Sequence, residues 1–273
     1  MQIYSIGVKQ VQQAQSNSTK SANKLSSGDR LHKLGTDSAG LSVSSRQKSD
    51  ARSLQMASRN IQDGLTLTDT IASSLNSMKD LLVRGRELAV QASNSTYDDT
   101  QRSQMNVEFQ NLLEEFSTQA QRTEWNGISV LTSTNSDFTL QIGRDNTSSS
   151  QLTVDLSSFL STLTNISTTN GTTLNGTKTN GIATQSTAQK VMVDMDDALN
   201  NVYKKLASAG SIQKRLEHTL ENNYSKTNSS KVSASRISDA DYAVETAEMT
   251  KNQILLQSGT AAMNKVKEIA SAS

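Results

Sequence analysis

Not one of the 273 residues is proline. Average usage would put proline near ~5% of a chain. Proline removes a backbone donor and clashes with the preceding helical turn, so its absence leaves the chain able to run in long, unbroken helices. The apolar spacing uses that freedom. Ile71, Leu75, Met78 and Leu82 follow a three-and-four rhythm, as do Met105, Phe109, Leu112 and Phe116. Leu199, Val202, Leu206 and Ala209 begin a stripe that Leu216 and Leu220 extend. These are the steps of a coiled-coil seam. Hydrophobic residues make up 34% of the chain and aromatics 4%, too few for the broad core of a round domain of this size. A narrow seam needs only about two apolar positions in seven.

The composition also restricts function. A net charge of +1 removes the case for a nucleic-acid binder, which shows a basic patch or a high pI. It also leaves little repulsion against self-association. Without cysteine there are no disulfides and no thiol chemistry, which is compatible with life outside the cell. Apolar runs are only a few residues long, against about 20 for a membrane span. The first residues show no basic region followed by an apolar stretch, so no secretory signal peptide is expected.

Breaks between the helical tracts are legible. Asn94 to Asp99 is a polar turn, and Asp98 with Gln101 forms a capping-box pair. Asn126-Gly127 signals a tight turn. Phe138, Leu140 and Ile142 alternate with polar residues, as do Leu152, Val154 and Leu156, and period-two alternation predicts short strands. Residues 160–187 are rich in Ser, Thr and Asn, a loop composition. Ser186 and Gln189 offer a second capping box before helix resumes. A helix from Ser38 to Asn94 would span roughly 85 Å at 1.5 Å per residue. Its seam needs a second helix running back along it, which brings the two chain ends together. The expected fold class is therefore mainly α: a long antiparallel helical coiled-coil bundle with a short β-hairpin region and paired terminal helices.

No catalytic constellation emerges. His32 and His218 stand in no metal-ligand spacing. Asp194, Asp196 and Asp197 lie in the N-terminal part of a helix, where the dipole favours acidic residues without any metal. No nucleophile-base pair and no phosphate-binding glycine loop is present. Gly28, Gly35 and Gly40 occupy a segment that more naturally breaks a helix. The expectation is no enzyme activity, no cofactor and no metal.

Several blocks carry a family resemblance. Leu25-Ser26-Ser27-Gly28-Asp29-Arg30-Leu31 is followed by Asp37-Ser38-Ala39-Gly40-Leu41 and Ser58-Arg59-Asn60-Ile61-Gln62-Asp63-Gly64-Leu65. Arg86-Glu87-Leu88-Ala89-Val90-Gln91-Ala92-Ser93-Asn94 closes the first half. Near the other end stand Ser235-Arg236-Ile237-Ser238-Asp239-Ala240-Asp241-Tyr242 and Gln253-Ile254-Leu255-Leu256-Gln257-Ser258-Gly259-Thr260. In this order and spacing the chain resembles bacterial flagellin, in a short form without large outer domains. It departs from the usual family pattern in Ile3-Tyr4-Ser5-Ile6-Gly7-Val8, in Thr36-Asp37 and in the tail after Thr260.

The resemblance implies a structural subunit that polymerises into the flagellar filament for motility. Residues 1–37 with 238–273 would form inner-tube helices, and residues 38–237 an outer-tube rod containing a β/loop region at 127–186. Partners implied are further copies of the chain, the flagellar export chaperone, and the hook-junction and cap proteins. The implied location is the extracellular filament, reached through the flagellar export channel without a cleaved signal. Arg84, Leu88 and Glu108 match positions through which some flagellins are seen by the animal Toll-like flagellin receptor. The plainer reading of that face is lateral packing, with Asp80 and Arg84 as a surface pair. Rival readings are a hook-filament junction protein and a cytoplasmic signalling coiled coil. The block from Arg86 to Gln91 and the central β interruption favour flagellin over them.

Overall fold

The computed structural model describes residues 2–31, 37–131, 138–154 and 181–272. Among these, α1 is Gln2–Ser27, α2 Ser38–Ala92 and α3 Asp99–Arg122. Strands β1 (Glu124–Trp125), β2 (Ile128–Ser129), β3 (Phe138–Gln141) and β4 (Gln151–Val154) follow. Helices α4 (Gln185–Ser238) and α5 (Tyr242–Ala272) complete the order. This is the mainly α, antiparallel architecture expected from the spacing. The chain divides into two compact units, one of residues 1–52 and 226–273 and the other of residues 53–225.

In the unit built from both chain ends, α1 and α5 run antiparallel. A Cβ on Gly7 would lie 3.6 Å from Met263, and one on Gly259 would lie 2.7 Å from Val11. The inward-facing residues of α1 are Gly7, Val11, Ala14, Ser18, Ser21 and Leu25. Those of α5 are Glu245, Met249, Asn252, Leu256, Gly259 and Met263. Both series are heptads, and their small residues let the backbones approach closely. The breaks at the ends of α1 and α4 are tied together. Arg30 N donates to Ser238 O at 2.6 Å and Ala240 N to Gly28 O at 2.8 Å, an antiparallel bridge between Asp29 and Asp239. Gly28 stands at φ +72°, where a side chain would be strained. Asp37 caps α2 by accepting from Gly40 N at 2.8 Å, and Asp241 caps α5 by accepting from Ala243 N and Val244 N.

In the other unit, α2, α3 and α4 share one apolar core. Ile71, Leu75, Met78 and Leu82 are all fully buried, as the spacing predicts. On α3 the buried set is Phe109, Leu113, Phe116 and Ala120. Leu112, read from sequence as the seam residue, only borders that core. The adjacent leucines satisfy the same rhythm, and only packing distinguishes them. The capping box of Asp98 and Gln101 forms in both directions. The second predicted box is displaced. Thr184, not Ser186, caps α4: its hydroxyl accepts from Thr187 N at 3.3 Å, and its own N donates to the Thr187 hydroxyl at 3.2 Å. A threonine hydroxyl at the third helical position serves here in place of a Gln or Glu.

Asn126 and Gly127 both take positive φ, 51° and 76°, and join β1 to β2 antiparallel. That is the pattern of a tight hairpin turn. β3 pairs with β4 so that Leu140 faces Leu152 and Phe138 faces Val154. Leu156 and most of the predicted loop, residues 160–180, lie outside the described residues. The β3–β4 pair sits on α2 at Gly64, where an added Cβ would come within 2.4 Å of Leu140 Cδ1. Asn60 donates to Gln141 O at 3.2 Å and Asn223 to Ile142 O at 2.8 Å. Two asparagines thereby take up strand-end carbonyls, one of them buried, that would otherwise lack a donor.

Candidate interaction surface

Helices α2 and α3 form an antiparallel hairpin. Arg102, 7% exposed at its side chain, closes its corner. Its guanidinium donates to Ala92 O at 2.9 Å and Asn94 O at 3.1 Å, and pairs with Asp99 at 2.8 Å. A cation here satisfies the carbonyl of Ala92 at the end of α2 and joins Tyr97 N, 3.4 Å away, as a donor to Asn94 O. Sequence reading missed Arg102. The only available signal was a basic residue just after a helix break.

Further along the same hairpin, the structure brings Arg84 and Glu108 together. Arg84 Nε and Nη2 both donate to Glu108 Oε1, at 3.0 and 2.7 Å, and Nη1 donates to Glu87 at 3.3 Å. The bond to Glu108, then that to Glu87, raises the Arg84 pKa above its ordinary value. Arg84 and Glu108 are 50% and 49% exposed, so this pair is a surface feature of the chain. The expected partner Asp80 instead approaches Lys79. Leu88 does not join the surface. It is 2% exposed and belongs to the core shared with Phe109 and Val191. One helical turn beyond Arg84, the α2 surface rotates enough to put Leu88 against the neighbouring helices.

A second ion pair joins α2 to α4. Arg86 donates through Nε and Nη2 to the two carboxylate oxygens of Asp196, at 2.5 and 3.3 Å. The bond raises the Arg86 pKa as well. Asp196 therefore serves an interhelical fork, a geometry that suits guanidinium and carboxylate. The partners are far apart in sequence, and nothing local in either segment indicates the pairing.

The chain ends carry apolar surface. Ile6 on α1 and Val244, Ile254 and Leu255 on α5 are exposed. Tyr242 is also exposed, although its hydroxyl donates to Leu25 O at 3.1 Å. Among the described residues no helix is long and apolar enough to cross a membrane.

Residues 2–136 match the family described as the bacterial flagellin N-terminal helical region, and residues 192–271 match its C-terminal helical region. The chain is 33% identical over 252 residues to a flagellin of Halalkalibacterium halodurans, covering 91% of this chain and 88% of that one. The chain belongs to the bacterial flagellin family. As a flagellin it is also 32% identical over 256 residues to the flagellar filament 33 kDa core protein of Treponema phagedenis, with 91% and 88% covered. The flagellin of Bacillus subtilis matches at 31% over 276 residues, with 92% and 90% covered. Among solved structures, Bacillus cereus flagellin aligns with a TM-score of 0.51 and 27% identity, covering 60% of this chain and 88% of that one. The near-complete coverage of these relatives agrees with a short flagellin lacking a large outer domain.

Proposed function

We infer that this flagellin is a structural subunit that polymerises into the bacterial flagellar filament and serves motility, with no catalytic role. The observation that carries the reading is the match of both chain ends to the flagellin helical regions, in a chain that covers nearly nine-tenths of named filament proteins. No observation favours a hook-filament junction protein or a signalling coiled coil over it. The exposed apolar residues of α5 supply area that a neighbouring copy can bury.

Residues 1–37 with 238–273 would line the inner tube and residues 38–237 the outer rod. The location that follows is the extracellular filament, reached by flagellar export without a cleaved signal. The export chaperone, the hook-junction proteins and the filament cap are the partners that assembly requires. Arg84 and Glu108 form a half-exposed charged pair suited to lateral packing, and the same pair is the part of the Toll-like receptor signature that stays at the surface. Leu88, buried in the core, stays out of that surface.

Seeded polymerisation of purified protein, followed by electron microscopy, tests the reading. Filaments of uniform diameter are expected. Protein that stays monomeric on flagellar seeds, while retaining its helical circular dichroism, would overturn it.

A further inference from the structure

The pairing of α1 with α5 raises a problem of register. Both seams are heptads, and a heptad repeat looks alike after a shift of seven residues. Size complementarity does not remove the ambiguity. Gly7 faces Met263 and Val11 faces Gly259. Continuing along both helices sets Ala14 against Leu256 and Ser21 against Met249. Gly7, Ala14 and Ser21 are all small, and Met249, Leu256 and Met263 are all long. A slip of one heptad in either direction therefore still sets small residues against long ones. Little apolar area is committed to one alignment, since Ala14, Ser18 and Ser21 are the buried residues of α1.

Along the seam itself one side-chain ion pair breaks the repeat, while the backbone bridge of Gly28 and Arg30 with Ser238 and Ala240 stands beyond the end of α1. Lys24 Nζ donates to Glu245 Oε1 at 2.6 Å, with side-chain exposures of 30% and 10%. Glu245 is the one acidic residue among these inward-facing positions. Its other oxygen, Oε2, is buried without a hydrogen-bond partner. Seven residues before Lys24 stands Asn17, so a slip in that direction sets Glu245 against a neutral side chain. In the opposite slip, Lys24 meets the level of Asn252 and Glu245 loses its cation again. A buried charge without its partner is strongly unfavourable, and a buried polar pair is best attested as a selector of register.

We propose that the Lys24–Glu245 ion pair selects the register in which the two ends of this chain pair. It acts mainly by making the heptad-slipped alignments unfavourable. Apolar burial along the seam would hold the helices together in any of the three alignments.

The absence of cysteine gives a clean assay in the full-length chain. Val11→Cys with Gly259→Cys reports the native register, because those positions touch. Val11→Cys with Asn252→Cys, and Val11→Cys with Val266→Cys, report the two slips. In the native register each of these pairs is offset by about 10 Å along the helix, beyond disulfide reach. Oxidation is carried out under polymerising conditions, and intrachain products are separated from interchain ones by mobility. Filament formation is scored separately by pelleting, so failure to polymerise bears on the proposed function and not on register.

In the parent chain the native product should dominate. Lys24→Met should lower the ratio of native to slipped product about tenfold or more, as expected for a buried charge left unpaired. Lys24→Glu combined with Glu245→Lys should restore it. Three results would overturn the proposal: an unchanged ratio in Lys24→Met, loss of all three intrachain products together, or failure of the charge exchange to restore the ratio. The second would show that the pair stabilises the helices without choosing among alignments.

Discussion

At the residue scale, single cations organise the α2–α3 hairpin in two different ways. Arg102 is buried and bonded to two backbone carbonyls and one carboxylate. Arg102→Met keeps much of the stem but removes the donor to Ala92 O, while Asn94 O keeps Tyr97 N at 3.4 Å. A buried group left unsatisfied costs about 1–3 kcal/mol, and a loss of that order is expected in urea unfolding. An unchanged midpoint would mean that water replaces the guanidinium. Arg84 behaves differently because it is half exposed. Arg84→Ala should leave the subunit's melting temperature essentially unchanged and weaken filaments, compared with a control such as Lys204→Ala. Its raised pKa means that the cation's contribution is complete below the ordinary arginine range and fades only above it. Arg84 protonation should therefore give no stability slope near neutral pH. Equal filament stability in the two variants would remove the packing role.

At the scale of elements, the helical seam was legible and its attachments were not. Leu75 is 1% exposed, and Leu75→Ala should cost about 2–5 kcal/mol, read as a lower thermal midpoint. Period-two alternation marked β3 and β4, and Asn126-Gly127 marked the turn. Nothing in the alternation revealed that β3 rests on Gly64. There an added methyl would meet Leu140 Cδ1 at 2.4 Å. Gly64→Ala should destabilise by about 1–3 kcal/mol through overpacking. Adding Leu140→Ala should recover part of that loss in a double-mutant cycle, since the two side chains share the space. Strict additivity of the two changes would show that the hairpin shifts away from α2. The α4 cap illustrates a smaller miss. Thr184 and Thr187 cap with hydroxyls alone, a pairing that the usual capping-box pattern does not include.

At the scale of the whole molecule, the chain ends are the part least able to stand alone. The inward faces of α1 and α5 are rich in small and polar residues, while Ile6, Ile254 and Leu255 remain exposed. Ordering a residue costs about 1–2 kcal/mol of backbone entropy, which small buried side chains offset poorly. Amides of α1 and α5 should therefore exchange rapidly in the free subunit and slowly in filaments, while the amides of Ile71 to Leu82 are protected in both. Equal protection of α1 and α5 in the two states would show that the pair is stable before assembly.

What the sequence determined by itself was repetitive and local: long helices without proline, three-and-four seams, the Asp98 capping box, the Asn126-Gly127 turn and the flagellin blocks at both ends. Each depends on residues within a few turns of one another, so the order of types along the chain suffices. The tertiary structure alone decided which of two neighbouring leucines is buried, that Leu88 enters the core while Arg84 stays half exposed, and that Arg86 holds Asp196. It also decided that Lys24 meets Glu245. These outcomes depend on the rotation and register of helices distant in sequence. A repeat that matches itself after every seven residues leaves the alignment to contacts such as Lys24 with Glu245, which only the packed helices bring together.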